Sequence, residues 1–148
     1  MIRDVQPADL PALLDLWLDS TTAAHPFIDP EYWRQSLPIV RDSYLPGART
    51  WVYVEGQCLL GFISVMNASF VGALFVAQHA TGRGIGHALL SEAKRHFAAL
   101  SLEVYQKNTA AVAFYHRNGF RIENSAWQEE TQHPTWIMHW QADQMPSQ

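Results

Sequence analysis

The chain has 148 residues, one domain's length and enough to bury a substantial core. Hydrophobic residues make up 48% and charged residues 16%, which excludes general disorder. The formal net charge of −4, with no Lys/Arg block, argues against nucleic acid as a partner and leaves basic ones such as amines, lysine side chains or peptide N-termini.

Residues Ile2–Val5 read as a short strand, and Met1–Asp4 lacks the apolar core of a signal peptide. Leu10, Leu13, Leu14, Trp17 and Leu18 follow the i, i+3, i+4, i+7, i+8 spacing of an amphipathic helix, with Pro7 near its start. Ser20–Pro30 reads as a loop carrying His25-Pro26-Phe27. Asp29-Pro30-Glu31 supplies a cap, a first-turn proline and a dipole-matched acid for a second helix to about Tyr44, which Pro38 kinks or interrupts. Thr50–Glu55 and Cys58–Met66 form a hairpin across Gly56-Gln57. Cys58 is the single cysteine, which excludes an intramolecular disulfide and a multi-cysteine zinc site; in its apolar run it is expected to be buried.

Ser69–Val76 is a third strand of this middle region. A helix from about Gly84 to Ala98 follows, with Ile85, Leu89, Ala93 and Phe97 inward. Leu100–Tyr105 is a strand, Asn108 caps a helix reaching about Asn118, and Gly119 ends it. Phe120–Ser125 and Thr135–Trp140 close the sheet, and Gln141–Gln148 reads as a polar, frayed tail. The order βααβββαβαββ implies one α/β (α+β) domain over residues 1–140, a sheet covered on two faces. No segment approaches about 18 uninterrupted apolar residues, so no membrane partner and a soluble cytoplasmic protein are expected.

Between the strand ending at Val76 and the helix lies Gly82-Arg83-Gly84-Ile85-Gly86-His87. Such a loop exposes backbone N–H groups without Cβ obstruction, and the helix dipole adds partial positive charge behind them. A phosphate or pyrophosphate suits it. The dinucleotide pattern G-x-G-x-x-G fails, because its last position falls on His87 or Leu89, and no G-x-x-x-x-G-K-[ST] exists. There is no H-E-x-x-H and no paired metal spacing among the histidines, so no metal is expected; a G-x-S-x-G elbow is also missing.

A second block, Asn108-Thr-Ala-Ala111-Val-Ala-Phe114-Tyr115-His-Arg-Asn-Gly119-Phe120, decides among phosphate ligands. Together the two segments resemble the GCN5-related N-acetyltransferase (GNAT) family. Its cofactor loop reads roughly Arg/Gln-x-x-G-x-G/A, matched by Gly84 and Gly86, with Thr81 where Arg or Gln is usual. Its later block reads roughly N-x-x-A-x-x-F/L-Y-x-x-x-G-F, matched at Asn108, Ala111, Phe114, Tyr115, Gly119 and Phe120. The resemblance implies acetyl-CoA as co-substrate and a mixed, mostly antiparallel sheet of about seven strands, splayed at the fourth and fifth, flanked by about four helices. Trp17, His25–Ile28, Tyr32-Trp33, Leu102–Asn108 and Pro134–Met138 extend it toward the bacterial peptidyl-lysine N-acetyltransferases, which implies a protein lysine as acceptor. A small-molecule amine, a peptide N-terminus and a non-catalytic CoA-binding module are the alternatives.

The resemblance implies direct transfer, with Tyr115 as the general acid for the CoA thiolate. A phenol hydroxyl can donate to a thiolate as charge develops. Glu103 is the base candidate: period two turns Leu102 and Val104 to the opposite face, and a lone carboxylate on an apolar strand calls for a role. Its placement also resembles that in ribosomal-protein N-terminal acetyltransferases. The backbone of Leu74, Phe75 and Val76 would hold the acetyl carbonyl and pantetheine amides. Gly82, Arg83, Gly84, Ile85, Gly86 and His87 would hold the pyrophosphate, and Asn108 the pantetheine arm or a helix cap. His25, Phe27, Tyr32 and Trp136 are expected around the acceptor, where aromatic faces suit an ammonium. A monomer or a homodimer is compatible with the Trp-rich last strand.

Overall fold

The structure, a computed structural model, describes residues 1–67 and 69–142. Its strands are β1 (Ile2–Asp4), β2 (Arg49–Glu55), β3 (Cys58–Met66), β4 (Phe70–Val76), β5 (Ala99–Tyr105), β6 (Arg121–Gln128) and β7 (His133–Gln141). Its α-helices are α1 (Leu10–Ala24), α2 (Pro30–Ile39), α3 (Ile85–His96) and α4 (Thr109–Arg117). One seven-stranded sheet runs in the order β1-β2-β3-β4-β5-β7-β6, the mixed architecture expected. Every neighbouring pair is antiparallel except β4 and β5.

Strand alternation divides the core in two. Trp51, Ile63, Leu100, Leu102, Val104 and Met138 pack on one face with α3 and with Tyr115 of α4. Val52 and Phe62 pack on the other with Leu13 and Trp17 of α1 and Trp33 of α2. Ile85, Leu89, Leu90 and Ala93 form the buried stripe of α3; Phe97, expected on that stripe, lies beyond the helix in extended backbone. Asp29 Oδ1 accepts from Glu31 N–H at 2.9 Å, the cap read from sequence. Past Pro38 the second helix widens into a π-helical turn at Val40–Tyr44, which returns Val40 to the core.

Three expectations are corrected. Helix α1 continues to Ala24, because Leu13, Trp17 and Thr21 extend its buried face at a spacing of four. Cys58 is exposed: it opens β3 opposite Glu55, beside the Gly56-Gln57 turn at the end of the hairpin. Gln141 belongs to β7, paired with Ala99, and Ala142 N–H still donates to Ala98 C=O at 2.7 Å. The remainder of the expected tail, residues 143–148, lies outside the described residues.

The feature that positions the site is the seam between β4 and β5. These seven-residue strands share one register pair, Phe70 with Ser101, fixed by Ser101 N–H donating to Ser69 C=O at 2.8 Å. Beyond it they diverge. From Leu74 to Val76 one edge of β4 is bonded to β3 and the other faces the opening.

Candidate active site

The glycine loop stands at the open end of this seam. Gly82 and Gly84 both have φ near +80°, at +82° and +80°, and the left-handed turn at Gly84 starts α3. A Cβ at either would meet open space, so the requirement is conformational, and the space is left for a ligand. Among the described residues, no backbone N–H from Gly82 to His87 donates to a carbonyl outside the helix. Free N–H groups at the positive end of a 12-residue helix fit a pyrophosphate. Gly86 serves a different purpose: its absent Cβ would sit 3.3 Å from Phe114 Cζ and 3.7 Å from Val76 Cγ2. Close approach there brings loop, β4 and α4 together. The Arg83 guanidinium pairs with Glu55, and His87 Nδ1 lies 2.6 Å from Asn118 Oδ1, tying α3 to the end of α4.

Asn108 Oδ1 accepts from Ala111 N–H at 3.3 Å and so caps α4, leaving its NH₂ for other use. Tyr115 projects from α4 into the α3–α4 face of the sheet, buried, its ring edge-on to Phe114 and Phe120 at 5.3 and 5.4 Å. Its hydroxyl forms no hydrogen bond among the described residues, although Trp33 Nε1 is the side-chain polar atom there that is both sealed and unpartnered. The Tyr115 hydroxyl is therefore free and still accessible. Burial pushes its pKa well above the ordinary 10, so it stays protonated.

Glu103 approaches the seam from the other face. Its Oε2 accepts from Thr135 Oγ1–H at 2.6 Å and its Oε1 from Gln128 Nε2–H at 3.3 Å. Two residues on, Tyr105 shares this face, its hydroxyl 3.0 Å from Thr131 Oγ1. Around it gather His25, Phe27 and His133, with ring centroids 5.1, 5.6 and 6.4 Å away. Tyr32 donates to Glu130 Oε1 at 3.0 Å and packs on Trp33; burial and that carboxylate push its pKa up to about 12. His133 Nε2 lies 3.1 Å from Phe27 C=O, so the β6–β7 hairpin is tied to the chain between α1 and α2.

His25 and Phe27 gather around Tyr105, and Tyr32 joins them through Trp33, on the face of β5 that carries Glu103. Trp136 does not join them. It pairs with Val104 and takes that residue's face by strand alternation, lining a groove of about 310 Å³ with Val112, His116, Ile122 and Met138. The sequence reading missed Tyr105, Thr135, Gln128 and His133. Tyr105 was within reach of the period-two argument that singled out Glu103. The other three come from the hairpin, and only its register places them.

Burial pushes the His25 pKa below its ordinary 6.5, while the Thr21 carbonyl partly opposes this. The folded state therefore holds the ring neutral, and the unfolded chain takes up a proton first as pH falls. Stability from His25 is complete above about pH 6.5 and declines below it toward the folded-state pKa. Melting temperatures of the wild type and His25→Asn between about pH 5 and 7.5 should converge toward the acid end; a constant difference would count against a neutral buried ring.

A free polyphosphate cradle, a split sheet and an accessible buried tyrosine on one side of the split carry the same sign as the sequence resemblance. The sequence profile of the acetyltransferase (GNAT) domain matches residues 8–140. The chain belongs to the GNAT family. It is 54% identical to the peptidyl-lysine N-acetyltransferase YiaC of Escherichia coli K12 over 140 residues, covering 95% of this chain and 96% of that protein. It is 33% identical to the peptidyl-lysine N-acetyltransferase YjaB of the same organism, covering 74% of each chain. The solution structure of apo YjaB superposes with a TM-score of 0.81 at 26% identity, covering 97% of this chain and 98% of that one. N-acetyl transfer to an amine is the activity that follows, with acetyl-CoA as the family's donor. Among the described residues no helix is long and apolar enough to cross a membrane, and no cluster of three or more metal-ligating side chains occurs.

Proposed function

We propose that this N-acetyltransferase acts on lysine side chains of proteins. The observation that carries the reading is the placement of Tyr115 and Glu103 on opposite faces of the seam between β4 and β5. One face serves a leaving group and the other an incoming amine. The names of the relatives reported above support lysine as that amine.

Acetyl-CoA bound in the seam supplies an activated acyl carbon and a thiolate leaving group. The N–H groups of Gly82–His87 hold its pyrophosphate, and the free edge of Leu74–Val76 receives the acetyl oxygen and pantetheine amides. Those N–H dipoles are fixed in advance, so they stabilise oxyanion charge without reorganisation. The acceptor enters from the α1–α2 side, where Glu103 receives its ammonium and the Phe27 and Tyr105 rings flank it. As the C–S bond breaks, Tyr115 donates its proton to the sulfur. The Glu103 geometry sharpens the sequence reading: Thr135 and Gln128 both aim donors at the carboxylate, holding it in place rather than leaving it to rotate. A polyanionic donor does not cross membranes unaided, so the enzyme would work in the cytoplasm where the donor is made.

The test has two steps. Saturating acetyl-CoA should raise the melting temperature, as ligand linkage requires. Incubation with lysine peptides, N-terminal peptides and small amines, followed by mass spectrometry, should give acetylation at lysine Nζ above the other two. Products confined to small amines or N-termini would overturn the acceptor assignment.

A further inference from the structure

His25 is 8% exposed and its ring is clamped by Phe27, Trp33 and Tyr105, with centroids 5.8, 5.2 and 5.1 Å away. Its Nδ1 lies 2.6 Å from the Thr21 carbonyl oxygen. A carbonyl only accepts, so Nδ1 carries the hydrogen and, in the neutral ring, Nε2 is a lone-pair acceptor. Nε2 makes no hydrogen bond among the described residues, yet it is not a sealed orphan, a condition found there only at Trp33 Nε1. A buried ring with a fixed tautomer thus keeps its one acceptor accessible. It does so among the aromatic side chains of the face that also carries Glu103.

We infer that His25 Nε2 takes the proton from the acceptor ammonium, and that Glu103 anchors that ammonium without being its base. This rests on the proposed amine-acceptor reading and divides labour within it. The N–H bond of the ammonium breaks and its proton moves to Nε2. The freed lone pair forms the N–C bond to the acetyl carbon as the C–S bond breaks, and the thiolate takes the Tyr115 proton. The new amide nitrogen loses its second proton, by way of water, to the Tyr115 phenolate, which restores the phenol, and the imidazolium releases its proton to solvent.

The alternatives on this face are less suited. Both Glu103 oxygens already accept hydrogen bonds, from Gln128 and Thr135, whereas His25 Nε2 accepts none among the described residues. His133 has both nitrogens engaged, Nε2 by Phe27 C=O and Nδ1 by Lys107 Nζ at 3.1 Å. Tyr32 and Tyr105 are held protonated by burial. Glu130 is hydrogen-bonded to Tyr32, and Lys107 is a donor above the Phe27 ring. Burial keeps His25 neutral at pH 7, ready to accept. Once charged, the ring is supported by the Thr21 carbonyl and by three aromatic neighbours.

The experiment uses the full chain, acetyl-CoA and a lysine peptide, with kcat and KM measured from about pH 5.5 to 9.5. His25→Asn retains an N–H donor for Thr21 and removes Nε2; a retained acetyl-CoA thermal shift verifies its fold. The inference expects kcat at pH 7 to fall by about 10²-fold with KM changed by less than about threefold. The deficit should shrink toward pH 9.5, as solvent supplies the free amine. Glu103→Gln should mainly raise KM and keep the acid limb of kcat/KM, and His133→Gln should keep it as well. A His25→Asn profile parallel to the wild type, or an acid limb lost in Glu103→Gln instead, overturns the inference. A wild type without lysine turnover overturns the acceptor reading itself, a separate outcome.

Discussion

Tyr115→Phe should lower kcat with a lysine peptide by about 10²–10³-fold, the usual contribution of a positioned general acid. That is about 3–4 kcal/mol of transition-state stabilisation. Acetyl-CoA affinity should stay within about threefold, because the change removes one oxygen that forms no hydrogen bond among the described residues. Phe114 and Phe120 still meet the ring edge-on, so stability should change by less than about 0.5 kcal/mol. Because burial raises the pKa, no alkaline limb of the rate profile should trace to this group below about pH 10. Steady-state kinetics with calorimetric acetyl-CoA binding separates the cases. Equal losses in kcat and affinity, or no loss in either, would mean that the hydroxyl does not serve the leaving group.

The contrast between Tyr115 and Trp136 shows how far a sequence reaches into a site. The placement of Tyr115 on α4 was legible because the block that resembles the GNAT family is local: Asn108 caps α4, and Gly119, with φ +91°, ends it. The loop Gly82–His87 is local in the same way. Glu103 was legible by strand alternation. Its partners Thr135 and Gln128 were not, because two antiparallel registers, β5 with β7 and β7 with β6, decide who faces whom. A one-residue slip in either exchanges the faces. That same alternation puts Trp136 behind the sheet while its neighbour Thr135 meets Glu103. His25 is intermediate. The spacing of Leu13, Trp17, Thr21 and His25 continues one buried helical stripe, yet the run of polar and small residues after Leu18 reads as a loop. Cys58 errs in the opposite sense: an apolar run reads as core, but its first residue opens β3 beside the hairpin turn and stays exposed.

The second large effect is expected at Gly86, and a graded pair of substitutions isolates it. In Gly86→Ala the new methyl meets the Phe114 ring at 3.3 and 3.4 Å, and a half-buried phenyl can give by a few tenths of an ångström. Acetyl-CoA affinity should then change by less than about threefold, well under 1.4 kcal/mol. In Gly86→Leu the side chain cannot fit between Phe114 and Val76 without separating α3 from α4 and β4. Overpacking of this kind costs about 1–3 kcal/mol of stability. Function should lose more, because Phe114 adjoins Tyr115 and the N–H groups of the loop move with the start of α3. A tenfold or greater loss of affinity is expected. At a ligand concentration about 100 times the original Kd, the stabilisation by acetyl-CoA would drop from about 2.7 to 1.4 kcal/mol or less. Thermal denaturation of both variants with and without acetyl-CoA measures this directly. An undiminished ligand-induced shift in Gly86→Leu would show that the contact between loop and α4 is mere packing and that the cradle holds its shape without it.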